Sequence, residues 1–186
     1  MQYLKNSIKK SKELNSEQQK QHYERLLDML KDARDFLFVC SWHLNFSESA
    51  GMWGVYLNNR EGLAIKSSYK SMVNCFRKTV ETVYIGVVDY MNIDLDKISM
   101  NNVLIPALCK RSIFKYEQEL RAIIISYEKR KTNGIYVKVD LNTLIEGIYL
   151  SPNTEEWIQK IIENALKRFG INSLILKSEV NMEPPY

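Results

Sequence analysis

The stretch KYEQELRAIII, residues 115–125, limits what this chain can fold into more than any other. Leu120 to Ile125 read as the interior of a strand, yet Glu117 and Glu119 lead into it and Arg121 lies inside it. Buried charge is costly unless it is paired, so any fold that uses this strand must also supply partners. Alternate residues of a strand share a face, which predicts Glu117, Glu119 and Arg121 on one side and Gln118, Leu120 and Ala122 on the other. Two outcomes are open. The Glu–Arg pair satisfies itself, or the charges line a polar pocket in which a carboxylate stabilises a cationic or oxocarbenium-like centre. A glycosidase-like division into acid and base is disfavoured, because carboxylates two apart on one strand do not flank a bond from opposite sides.

The flanking pattern is that of an α+β fold. Leu26, Leu27, Leu30 and Ala33 recur at helical spacing from about Ser16. FLFVCSW (36–42), LAIKSS (63–68), TVYIGVVDY (82–90), QELRAIIISYE (118–128), IYVKVD (135–140), LIEGIYLSP (144–152) and SLILK (173–177) read as strands. RKTNG (130–134) is the expected hairpin turn before the fifth of them. Between the strands, Ser47 or Ser49 can cap a short helix through Met52, Trp53 and Tyr56, Tyr69 to Thr79 reads as helical, and a further short helix runs to about Lys110. Asn153 with Glu156 resembles a capping box opening a last helix, which Gly170 ends. The expectation is a single domain with a largely antiparallel mixed sheet of about six to seven strands and flanking helices. Residues 1–35 form a basic N-terminal helical segment and 36–180 the α+β domain.

Composition narrows the setting. A net charge of +4 is a mild excess, so binding of nucleic acid through the lysine-rich start is the weakest of the readings. No apolar run is long enough for a membrane helix, and MQYLKNSIKKSKELNSEQQ lacks the apolar core of a signal peptide. Cys40, Cys75 and Cys109 are too few and too scattered for a disulfide framework, which fits reduced thiols in a cytoplasm.

Neither phosphate-binding glycine motif occurs. Cys40 and His43, three apart in CSWH, face opposite sides of a strand, so no metal is expected there. The same alternation sets Phe38, Cys40 and Trp42 against Val39, Ser41 and His43. Trp42 and His43 fall at the strand's end, on a pocket rim, or else Trp42 packs in the core and His43 caps a loop. In SESAGMWGVY (47–56), Met52 and Trp53 read as core, whereas Tyr56 and nearby Arg60 are within reach of a pocket.

In order, FVCSWHL, ESAGMWGVY, EGLAIKSSY, VYIGVVDY, KRSIFKYEQELRAI and GIYVKVDLNTLIEGIYLSP, followed by a Trp-containing helix, resemble the bacterial domain of unknown function 2971 family. The resemblance runs from about Phe36 to Lys177, and the family name implies no activity. A weaker resemblance, carried by Ser67 and Ser68 of KSS and by Glu117 and Glu119 of EQE, is to ADP-ribosyltransferases of the arginine-specific type. It implies NAD as cofactor. Glu119 would stabilise the oxocarbenium-like transition state and Glu117 would orient the acceptor, with Trp42, His43, Tyr56, Ser67 and Arg121 around the cofactor. A bacterial toxin or phage-defence effector is the setting it implies. Both families carry an earlier strand, whose place a lysine-rich helix takes here. An uncovered sheet edge is therefore expected, closed by a homodimer or a partner protein, or else by the N-terminal helix. The alternative is a non-catalytic binding module with a polar nucleotide- or partner-binding pocket.

Overall fold

A computed structural model describes residues 16–57, 61–92, 102–130, 132–180 and 182. The lysine-rich start, Arg60 with most of the NNREG turn, and the loop at 93–101 lie outside the described residues. The fold is α+β. Its helices are α1 (Ser16–Ala33), α2 (Ala50–Leu57), α3 (Tyr69–Phe76), α4 (Ile105–Leu108), α5 (Leu141–Leu144) and α6 (Glu156–Arg168). Its strands are β1 (Leu37–His43), β2 (Leu63–Lys66), β3 (Val83–Val87), β4 (Asp89–Met91), β5 (Cys109–Arg111), β6 (Glu119–Ile125), β7 (Gly147–Leu150) and β8 (Leu174–Lys177). A 3-10 turn (Ser112–Glu117) joins β5 to β6.

The strands form three small sheets, β1-β6-β3, β2-β7-β8 and β4-β5, in place of one six- to seven-stranded sheet. Two pairings, β4 with β5 and β7 with β8, are parallel. The chain divides into two compact units. The first takes its described residues from Met1–Leu44 and Thr82–Tyr136, the second from Asn45–Glu81 and Val137–Tyr186.

In the first unit β6 is the central strand, antiparallel to β1 on one side and β3 on the other. Its β-branched run suits a strand covered on both faces, and Leu120, Ala122, Ile123 and Ile124 are all buried. Ala33, Val88 and Ala107 complete that core. Burial of each large aliphatic side chain contributes roughly 1.5–3 kcal/mol, so this strand is the main apolar anchor of the unit. The second unit packs Met72, Cys75, Leu144, Ile145, Ile148 and Leu150. Burial raises the Cys75 thiol pKa, as expected of a small apolar filler.

Several expected elements differ, each for a local reason. TVYIGVVDY is not continuous. β3 stops at Val87, Val88 turns its amide to the Glu119 carbonyl, and β4 restarts at Asp89. IYVKVD forms no strand. Ile135, Val137 and Val139 are half-buried and Tyr136 and Lys138 exposed, so the alternation governs burial without a backbone ladder. LIEGIYLSP opens as α5, capped by the Asp140 carboxylate on the Asn142 amide, before β7 begins. Asn153 is not a cap. A turn from Ser151 to Thr154 delays α6, and Glu155 stands in the cap position without a side-chain bond. Gly170, at φ +65°, closes α6 in the left-handed conformation. Ser49 does open α2, its hydroxyl accepting from the Met52 amide.

Candidate functional site

Cross-strand partners share a face, and the β1–β6 register pairs His43 with Glu119 and Ser41 with Arg121. One face of this sheet therefore carries the charges. Trp42 pairs with Leu120 on the other face. Its indole Nε1 is buried and has no hydrogen-bond partner among the described residues. Glu117 does not share the strand face. It ends the 3-10 turn, and Gln118 behind it takes the left-handed conformation at φ 43°. SIFKYE has neither strand nor α period, and the left-handed residue swings the chain into β6.

That geometry still brings both carboxylates to one cation. Lys110 Nζ lies 2.6 Å from Glu117 Oε2 and 2.7 Å from Glu119 Oε1. Lys110 comes from β5, where its partner on β4 is Tyr90. Tyr90 Oη accepts the Glu119 amide at 2.8 Å, so the small parallel sheet delivers two side chains to the same point. Arg121 Nε donates to Glu119 Oε2 at 2.8 Å, Nη2 to Oε1 at 3.2 Å and Nη1 to the Ala107 carbonyl at 2.7 Å. Gly86 pairs with Arg121 across β3–β6, and a Cβ there would meet Leu108 Cδ2 at 2.7 Å. Its missing side chain lets α4 come close enough for Ala107 to reach the guanidinium. His43 Nδ1 lies 2.7 Å from the Glu117 carbonyl. A carbonyl only accepts, so Nδ1 carries the proton.

Glu119 is 4% exposed and Glu117 8%. Burial, the largest influence on Glu119, pushes its pKa up. It is outweighed by hydrogen bonds from Arg121, Lys110 and Ser41 and by the Arg121 charge, which hold the carboxyl well below the usual carboxylate range. Burial also acts first on Lys110, depressing its pKa, but the bonds to Glu117 and Glu119 prevail and the ammonium is held above its ordinary value. Two anions and two cations thus compensate each other inside the first unit.

Tyr56 and Ser67 belong to the second unit. Tyr56 is on α2 and exposed. Ser67 Oγ donates to the Leu144 carbonyl at 2.6 Å. The carboxylate beside the KSS element within this unit is Glu146, which precedes β7 and accepts from the hydroxyls of Ser68 and Ser71. The Ser68 bond, then the Ser71 bond, lower its pKa against a small opposing effect of burial. Ser68 is also the cap of α3, receiving the Ser71 amide at 3.2 Å. A further carboxylate, Glu48, takes the Trp53 indole N–H at 2.8 Å, the Ser178 hydroxyl at 2.7 Å and the Glu179 amide.

Sequence reasoning missed Lys110, Tyr90 and Glu146. Two buried carboxylates exceed one arginine, which signals that a second cation is needed but not which residue supplies it. Among the described residues no group of three or more His, Cys, Asp or Glu is placed to hold a metal ion. No described helix is long and apolar enough to cross a membrane. No family model, curated protein or solved structure matches the chain.

Proposed function

We propose that this chain is a non-catalytic binding module and that its carboxylate cluster is scaffold. One observation carries the reading: both oxygens of Glu119 are engaged by Lys110 and Arg121. A group that stabilises a developing cation must present uncompensated negative charge to it. Glu119 instead spends its charge on two protein cations, and so fits the self-satisfying outcome. Self-association belongs to the same proposal, because β1 and β3 are the outer strands of their sheet.

The NAD-using reading, with the toxin or defence role it would imply, keeps one observation in its favour. Beside Ser68 stands an exposed carboxylate, Glu146, held ionised by hydroxyl donors. If glycosyl transfer occurs, Glu146 is therefore a better candidate than Glu117 or Glu119. A thermal-shift screen with NAD, ATP, nucleosides and RNA, run beside an NAD-glycohydrolase assay, tests both readings. A ligand that binds only the folded state raises the melting temperature. The module reading expects a shift with no NAD turnover. Turnover by the wild-type protein that Glu146→Gln or Glu119→Gln abolishes would overturn it.

A further inference from the structure

We propose that the 3-10 turn Ser112–Glu117 is a docking platform for single-stranded nucleic acid. The inference rests on the binding-module reading and names its partner.

In a 3-10 helix, side chains three apart eclipse one another. Phe114 and Glu117 therefore share one side, and Glu117 is buried while Phe114 is half-buried. Ile113 and Tyr116 share a second side and are 66% and 52% exposed. Ser112 and Lys115 share the third, also exposed. Arg111, exposed, places its guanidinium carbon 5.3 Å from the centre of the Phe114 ring.

The charges sort in the same way. Lys110 and Arg121 are matched by Glu117 and Glu119. Arg111 and Lys115 have no carboxylate partner among the described residues, and they are the uncompensated charges of this segment. The turn is also held firmly. Lys110 grips Glu117, and the Gln118 carbonyl accepts the Leu44 amide at 2.8 Å. Gln118 is the one non-glycine residue with positive φ among those described, a conformation that persists only where its surroundings impose it. A platform fixed beforehand loses little freedom on binding.

An exposed tyrosine in the same short segment as two uncompensated cations fits alternating bases and phosphates. Base planes stack on the ring and the phosphates meet Arg111 and Lys115. A duplex hides its base faces, and an acidic peptide matches the charges but has no planar face for Tyr116.

The test is fluorescence polarisation of the full chain with a labelled oligouridylate of about twelve nucleotides, within the usual single-strand site size. A duplex of equal length and a polyglutamate peptide are the controls. We expect Tyr116→Ala to weaken oligouridylate binding by about tenfold. Arg111→Ala with Lys115→Ala should flatten the salt dependence by about 1.4 in log–log slope, at about 0.7 per phosphate contact. Urea midpoints of the variants should match wild type, since these side chains are exposed. No binding at low salt would overturn the inference. So would binding that all three substitutions leave unchanged, or equal, equally sensitive binding of either control. NAD turnover by the wild-type protein would instead overturn the module reading, whatever the polarisation result.

Discussion

Replacing Glu119 with Gln keeps the shape of the side chain and removes its charge. Lys110 and Arg121 then face Glu117 alone, and one positive charge in a largely buried cluster is unmatched. Breaking a buried pair by removing one partner commonly costs about 3–5 kcal/mol. Two features favour the lower end: Arg121 keeps the Ala107 carbonyl at 2.7 Å, and Lys110 keeps Glu117 at 2.6 Å. We therefore expect a loss of about 3 kcal/mol, a large share of the 5–15 kcal/mol of an ordinary domain. In a chain of this length that lowers Tm by roughly 6–12 °C. Urea unfolding followed by circular dichroism should show a lower midpoint with an unchanged slope. Adding Arg121→Met should recover part of the loss, because the stranded cation leaves with it. Acid gives a second readout. The folded-state pKa of Glu119 is depressed, so its stabilisation is whole above the ordinary value of 4.5 and is lost as pH falls below it. Wild type should weaken steeply there, and Glu119→Gln should flatten that slope. A loss under about 1 kcal/mol, the worth of a surface pair, together with an unaltered acid profile, would refute the reasoning.

Substitutions at three further positions probe the same unit. Trp42→Phe removes a buried indole N–H that has no partner among the described residues, and the relieved donor should offset the lost ring volume to within about 1 kcal/mol in urea unfolding, whereas a loss above about 2 kcal/mol would show that the relief is absent. Gln118→Gly should be near neutral or stabilising, while Gln118→Val, β-branched in a left-handed conformation, should cost more than about 1 kcal/mol by the same measurement. Gly86→Ala should cost about 1–3 kcal/mol by pressing Leu108 off the sheet, and equal stability would show that Leu108 moves aside freely.

What could be read from the sequence was whatever depends on neighbours along the chain. The alternation of LFVCSWH put Ser41 and His43 on one face of their strand, although only the register to β6 set that face beside Glu119, and the last helix with its Gly170 stop was visible. The pairing of Glu119 with Arg121 was visible too, since both lie on one strand. Lys110 was not, because it reaches the carboxylates through a three-residue parallel pairing of β4 with β5. Such short strands have no periodicity to detect. Glu117 was assigned to the wrong element for a related reason. SIFKYE carries no clear period of its own, so Glu117 reads as continuing the alternation of the strand after it, and only the left-handed Gln118 separates the turn from that strand. The single sheet failed because strand signals carry no information on partners. IYVKVD alternates as an outer strand should, yet its amides join no ladder.

The interleaving of the two units bears on how the chain is made. β1 waits for β6 and β2 waits for β7, so neither unit has its central pairings until synthesis passes residue 125 and then residue 150. Domains that are contiguous in sequence fold in turn as they emerge. This chain has no such early stage. Any nick between residues 67 and 118 parts β1 from β6 and β2 from β7 at once. A protease that meets the nascent chain before residue 150 therefore meets both halves unfinished, and pairings this distant in sequence also slow closure of the fold.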